Sequence, residues 1–231
     1  MSRLVSDTRR TLGVMVAGRR LVIVGAGDHG RSVLETAMAA GFDVEAFVDR
    51  AHSGEMFGVP IIASVPDGHV AGGGALCVAI GDNSTREAAV ERLGVPVDSA
   101  VFPSLVHPSA SVSRFATVGA GTVVLQGAVV GSAAAVGAFC IVNTRASLDH
   151  DGVLEDFASL APGVTLGGTV RVGRRSAIGI GAVVKHGVTI GADTVVGANS
   201  YLDRDLGDCL VAYGTPARAV RSRRPDDRYL G

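Results

Sequence analysis

Residues 166–197 read LGGTVRVGRRSAIGIGAVVKHGVTIGADTVVG, and a branched aliphatic returns at Leu166, Val172, Ile178, Val184, Ile190 and Val196. The same spacing of six runs back through Val112, Val118, Val124, Val130, Val136, Val142, Leu148, Leu154 and Leu160 and forward to Leu202. A helix needs apolar recurrence near about 3.6 residues and a half-buried strand alternates at about two, so a strict six fits neither alone. It fits a parallel β-solenoid, in which short flat segments meet at tight corners and each coil buries its anchors against its neighbours. Small side chains two residues before the anchors, among them Ala110, Ala128, Cys140, Gly152, Ala158 and Ser200, suit a narrow interior. Gly directly after the anchor, at 119, 131, 137, 167, 173, 179, 191 and 197, suits sharp corners. Three segments close a triangular coil of 18 residues, so residues 18 apart share one column and the run makes about five coils.

The hexads begin near residue 110 of 231 and split the chain almost in half. In the first half Leu21 to Val24 reads as a buried strand, Gly25-Ala26-Gly27-Asp28-His29-Gly30 as a turn, and Arg31 to Ala40 as a helix with Val33, Leu34, Ala37 and Met38 on its apolar side. A second strand, Val44 to Val48, ends at Asp49, placed to reach a ribose hydroxyl. The glycines let the backbone approach a phosphate, whose charge the helix N-terminus favours. A third unit follows: Ala75 to Ile80 as strand, Gly81-Asp82-Asn83 as turn and Ser84 to Leu93 as helix, capped by Asn83 or Ser84. This is a small Rossmann-like α/β layer, whose ligand belongs at the strand C-termini. A nicotinamide oxidoreductase would need a larger sheet and a substrate domain that a solenoid does not offer. The expected division is 20–105 for this domain, 106–220 for the solenoid and 221–231 for a tail.

A net charge of −1 supplies no general attraction to nucleic acid or an anionic membrane, so neither is an expected partner. Cys77, Cys140 and Cys209 are odd in number and widely spaced among apolar residues, which reads as buried thiols rather than a disulfide frame or metal cluster. The segment Met1 to Arg20 is broken by Arg9, Arg10, Arg19 and Arg20, and no stretch approaches about 18 uninterrupted apolar residues, so a soluble cytoplasmic chain is expected.

Among chemically capable residues, His150 lies two places after anchor Leu148 and therefore at a corner, pointing outward, between Asp149 and Asp151. An adjacent carboxylate can orient one ring nitrogen and stabilise the imidazolium formed when the other takes a proton, which suits a general base. A solvated turn histidine has the same pattern. No second ligand shares its coil except those carboxylates, which argues against a metal. Its column contains Ser132, Gly168, His186 and Arg204, with His186 two coils away and read as structural or exposed. Arg218, Arg221, Arg223 and Arg224 read mainly as a solvated cluster.

Gly25 to Gly30, strand-end Asp49, Val78-Ala79-Ile80-Gly81-Asp82-Asn83, His107-Pro108-Ser109-Ala110, Asn143-Thr144, Asp149-His150-Asp151 and Tyr213-Gly214-Thr215-Pro216-Ala217-Arg218 occur in that order. The set resembles bacterial sugar acetyltransferases of the sialic acid O-acetyltransferase and nucleotide-amino-sugar N-acetyltransferase family, which includes enzymes acting on UDP-bacillosamine precursors and GDP-perosamine. The resemblance spans residues 20 to 220. It implies a left-handed parallel β-helix, a homotrimer, acetyl-CoA along the groove between adjacent β-helices and no metal. It further implies a nucleotide-linked amino sugar held by the N-terminal domain.

By the same resemblance His150 matches the catalytic base and Asp151 its acidic neighbour. Gly27, Asp28, His29, Asp49, Arg50 and Gly81 match positions that hold the nucleotide and its sugar, and Gly168, Ile180 and Ala198 match positions whose backbone contacts acetyl-CoA. Ser159 stands where the amino-sugar enzymes often carry a second histidine near the acetyl group. Arg50 stands where a second Asp is common. Glu155 replaces the Gly that usually follows the anchor, which is expected to reshape the approach beside His150. The resemblance implies acetyl transfer to an amine; sialic acid-type O-acetylation and a binding scaffold without turnover remain the alternatives.

Overall fold

The computed structural model describes residues 18–96 and 100–229, so most of the Met1 to Arg20 segment lies outside the described residues. In the first half the glycine turn joins β1 (Arg20–Val24) to α1 (Asp28–Ala39). Gly25 adopts φ 110, and a Cβ on Gly30 would come within 2.6 Å of Gly25 O, so the turn closes only with glycine at both places. The helix begins three residues earlier than the sequence suggests, because Asp28 joins its first turn, where a carboxylate meets the positive end of the helix dipole. β2 (Asp43–Val48) follows as expected, then a hairpin of β3 (Gly54–Met56) and β4 (Val59–Ile62) that the sequence reading did not anticipate. Its turn, Phe57-Gly58, has φ 52 and 80, the doubly positive pair that matches strand twist, but with Phe where Asn or Asp would have signalled it.

β5 (Ala75–Val78) and α2 (Asn83–Leu93) complete the layer. The cap of α2 is Asp82, whose Oδ1 accepts the Thr85 N–H at 2.9 Å, in place of Asn83 or Ser84. The sheet runs β3-β4-β2-β1-β5, parallel except for β3, and is too small for a full dinucleotide fold.

In the second half every anchor is the second residue of a two-residue strand, and the pattern starts one hexad earlier, at Leu105–Val106. Strands 18 residues apart pair in parallel, as in Val129↔Ser147 and Val130↔Leu148. Three faces result. The first contains Val123–Val124, Ile141–Val142, Ser159–Leu160 and Ala177–Ile178; the second Val129–Val130, Ser147–Leu148, Thr165–Leu166 and Val183–Val184; the third Ala135–Val136, Val153–Leu154 and Arg171–Val172. In the sixth coil the third side shrinks to one bridge, Ile190 to Leu206. Leu210–Gly214 then continues the first face and pairs antiparallel with Ala217–Ser222.

The corners differ from expectation in one respect. The left-handed position falls three residues after the anchor and is often not glycine: Phe139, Asp151, Phe157, Thr169, Arg175 and Asp193 all have φ between 52 and 61. The glycines directly after the anchors serve close approach instead. A Cβ on Gly131, Gly167 or Gly173 would meet the backbone of the next coil at 2.6–2.8 Å.

The outward residues of the first face are covered, Val123 at 1 %, Ile141 at 4 % and Ala177 at 4 % exposure, while Val129 and Val183 on the second face stand at 42 %. The cover is the α/β layer: Val33, Leu34 and Ala37 of α1 cluster with Leu105, Val123 and Leu125. At the corner between the third and first faces, Phe139 and Phe157 pack with Val90 of α2 and with Phe102. Each Val, Leu or Phe so buried is worth about 1.5–3 kcal/mol, so apolar contact contributes much of the docking of the two halves. Cys77 and Cys140 are buried free thiols, raised by burial to about 12, whereas Cys209 is only partly covered. The arginine cluster near the C-terminus is not uniformly solvated, since Arg223 is buried and donates to Asp193 O at 2.7 Å.

Candidate active site

His150 sits at the corner between the second and third faces, its side chain largely exposed as the hexad arithmetic requires. Its Nδ1 lies 2.8 Å from Asp151 Oδ2, and its backbone N–H donates to Asp149 Oδ1 at 2.7 Å. Asp151 occupies the left-handed corner position, φ 56, and its N–H donates to Ser132 O of the previous coil at 2.9 Å, so the carboxylate is presented by a fixed backbone. The hydrogen bond to Asp151 and then the charge of Asp149 raise the imidazole above its ordinary value. With Nδ1–H donated to Asp151, Nε2 carries the free lone pair.

The ring lies over Gly168, one coil on. A Cβ there would meet His150 Nε2 at 2.4 Å, so only glycine lets the imidazole adopt this pose. Among the described residues the Gly168 N–H meets no acceptor, and the same holds for Ile180 and Ala198, each two residues after its anchor. These three are thus free backbone donors. They are not together: Gly168 shares the corner of His150, whereas Ile180 and Ala198 line the corner between the first and second faces. A groove of about 690 Å³ runs there, lined by Ser109, Gln126, Thr144, Pro162 and the exposed Ile180. Ser159 is on the first face, nearly covered. Glu155 is not beside His150, as the sequence suggested. It stands at the corner between the third and first faces, where its carboxylate accepts the Arg174 N–H at 3.1 Å. His186 is exposed in the His150 column.

The residues expected to hold a nucleotide sugar divide among three places. Gly27 and Asp28 line a cleft of about 440 Å³ with Arg31, His52, Ser53 and Glu55. Gly25, Asp49 and Arg50 line another, of about 490 Å³, against Ile80 and Arg92 of the α2 side. The Asp49 carboxylate holds the turn itself. It accepts N–H groups of Ala26 and Ala51 at 2.8 Å and of His52 at 3.1 Å; burial would raise it, but these bonds win and lower it. His29 faces the domain junction, where Nε2 is sealed from water with no partner, and burial and the charge of Arg86 lower the ring to about 4. Gly81 O is engaged inside the chain, accepting Arg86 Nη1 at 3.0 Å and Tyr229 Oη at 3.2 Å.

Arg86, unremarked in the sequence, adds polar bonds between the halves. Fully buried, its guanidinium donates to Phe139 O at 2.8 Å, Phe157 O at 2.7 Å, Ile80 O at 2.8 Å, Gly81 O and Asn83 Oδ1. Asn83 Nδ2 reaches Arg175 O and Ser176 O at 3.0 and 3.1 Å. Glu87 pairs with Arg174 and with Arg175, the latter also held by Asp193. A helix arginine has no sequence signature that marks it as buried. Among the described residues no group of three His, Cys, Asp or Glu side chains is arranged to hold a metal ion, and no helix is long and apolar enough to cross a membrane.

Residues 20–93 match the model of the PglD N-terminal domain, and residues 169–204 that of the bacterial transferase hexapeptide, six repeats. The chain is 36 % identical over 114 residues to UDP-N-acetylbacillosamine N-acetyltransferase of Bacillus subtilis, covering 46 % of this chain and 51 % of that one. It thus spans about half the length of that curated relative. Two solved chains are matched almost throughout. PerB from Caulobacter crescentus, in complex with CoA and GDP-perosamine, is 37 % identical with TM-score 0.80 over 89 % of this chain and 98 % of that chain. The acetyltransferase domain of PglB from Neisseria gonorrhoeae, in complex with acetyl coenzyme A, is 33 % identical with TM-score 0.79 over 88 % and 100 %.

Proposed function

Because the chain belongs to the PglD-like family of nucleotide-sugar N-acetyltransferases with hexapeptide repeats, we propose that it moves an acetyl group from acetyl-CoA to the amine of a nucleotide-linked amino sugar, with His150 as general base. The observation that carries this reading is the His150–Asp151 pair, outward at an open corner with Nε2 free. The neutral amine attacks the thioester carbonyl carbon while Nε2 takes its proton. The tetrahedral intermediate collapses, the C–S bond breaks, and the imidazolium returns the proton to the departing thiolate, so CoA leaves as a thiol. Asp151 keeps Nδ1 as the protonated nitrogen and stabilises the imidazolium. The Gly168 N–H, on the residue over which the ring lies, supplies a free donor for the oxyanion. A positioned base contributes about 10²–10⁴-fold and an oxyanion donor a comparable amount.

The site is divided between two copies. The α/β layer, which holds the acceptor in clefts at its strand ends, is docked on the first face and its corner with the third; His150 is on another corner of the same prism. Free N–H donors stand at opposite edges of the second face. A groove formed when the His150 corner of one chain meets the corner between the first and second faces of the next, beside its docked α/β layer, brings both sets to one acetyl-CoA. The exposed Val129, Val183 and Tyr201 of the second face supply apolar surface for such contact, and the family resemblance points to three copies.

The test is thiol release from acetyl-CoA with UDP-, GDP- and dTDP-linked 4-amino sugars. Wild type should turn over at least one of them, and His150→Ala should lose about 10²-fold or more while binding acetyl-CoA as before. Retention of activity within about threefold would refute the assignment of the base.

A further inference from the structure

Beyond Ala217–Ser222 the chain is tied down by Arg223 and returns to the junction of the two halves. There Tyr229 Oη donates to Gly81 O at 3.2 Å and lies 3.3 Å from Ser159 Oγ. The side chain is thus wedged between the turn before α2 and the first face of the solenoid. Burial raises the phenol, which stays protonated. Two polar atoms of the same junction, Asp82 Oδ2 and His29 Nε2, are sealed from water and have no hydrogen-bond partner. Tyr229 and Asp82 feel each other's charge, and Tyr229 and His29 each feel that of Arg86.

Buried polar atoms without partners are uncommon and costly, so two at this junction point to a ligand that brings hydrogen-bond donors. Its chemistry follows from what is left over. The Asp82 oxygen only accepts hydrogen bonds, and the neutral imidazole nitrogen accepts when its proton sits on Nδ1. The Arg86 donors are already taken by carbonyls. Such a junction takes hydroxyl and amine donors and offers nothing to a phosphate, which only accepts.

Resting on the reading that the N-terminal half holds the acceptor, we propose that Tyr229 is an acceptor-binding residue, carried by the C-terminal segment to the domain junction, where with Asp82 and His29 it receives the hydroxyl and amine donors of the sugar ring. Tyr229 lies beyond the last strand, while His29 belongs to α1, Asp82 caps α2 and Ser159 belongs to the solenoid.

The experiment compares wild type, Tyr229→Phe and Tyr229→Ala in full-length protein, using acetyl-CoA and whichever of the UDP-, GDP- and dTDP-linked 4-amino sugars the wild type acetylates. Tyr229→Phe keeps the ring and removes the hydroxyl. It should raise the acceptor KM about tenfold, the value of one hydrogen bond, with the acetyl-CoA KM and thermal midpoint unchanged. Tyr229→Ala should raise it further. An unchanged acceptor KM in Tyr229→Phe overturns the proposal, as does a parallel rise of both KM values with a falling midpoint, the mark of a mere tail anchor. Wild type that acetylates none of the sugars overturns the underlying functional reading instead.

Discussion

Two corners of one prism, built from the same hexad, have opposite fates. At the corner between the third and first faces the polar groups that reach out are matched. Arg86 meets carbonyls of Phe139 and Phe157, Asn83 those of Arg175 and Ser176, and Glu87 the side chains of Arg174 and Arg175. At the corner between the second and third faces, His150 stands in solvent with one nitrogen paired and one bare, above a backbone N–H that meets no acceptor among the described residues. The backbone is the same in both, left-handed at Phe157 and at Asp151 alike. The repeat therefore decides where a residue points, and the side chains two and three places after the anchor, with whatever docks on them, decide whether the corner is docked or left open.

The contrast breaks most visibly at the docked corner. Arg86→Met should leave the carbonyls of Phe139 and Phe157 buried without donors, at about 1–3 kcal/mol each, and lower the thermal midpoint by several degrees while the solenoid keeps its β signature in circular dichroism. An unchanged midpoint would mean that apolar packing alone joins the halves. At the open corner the expected effect is on rate, not stability. Gly168→Ala places a methyl where Nε2 lies and should cut turnover about 100-fold, with the midpoint nearly unmoved; normal turnover would show that the ring reacts from another pose.

The smallest change sharpens the comparison further. Asp151→Asn keeps a partner for Nδ1 but removes its charge, and turnover should fall about tenfold. The sign of the pH effect follows from the raised imidazole: the base works only when neutral, so activity is lost as pH falls through a value above the ordinary 6.5. In Asp151→Asn that acid limb should move to lower pH. A limb that stays in place would assign it to another group.

Much of this was legible from residues. The period of six placed each strand, the columns 18 apart, and His150 outward beside Asp151, because burial of one anchor per segment leaves no other register. Which face is docked was not legible. Val123 and Ile141, covered, are of the same kind as Val129 and Val183, exposed, and only the partner surface distinguishes them. Glu155 was expected to reshape the approach beside His150 because it replaces the Gly that usually follows the anchor, yet it follows Leu154, the anchor of the next hexad, and so stands at the next corner of the triangle. Arg86 looked like an ordinary helix residue and Tyr229 like the end of a tail. Both act across separations of 53 residues or more, the kind of contact local pattern does not carry.

The claim that the site is shared between copies is tested most directly by mixing two inactive parents. His150→Ala removes the proposed base. Gly27→Glu sets a carboxylate in the cleft that Gly27 and Asp28 line, the proposed nucleotide site, at a position whose Cβ direction is open, so the fold tolerates it. Co-refolded at equal ratio, the two should regain about a quarter of wild-type turnover, since each shared site then draws an intact corner and an intact α/β layer from different chains about a quarter of the time. Turnover that stays at the level of the parents would contradict the account, because a site held within one chain has no intact copy in the mixture.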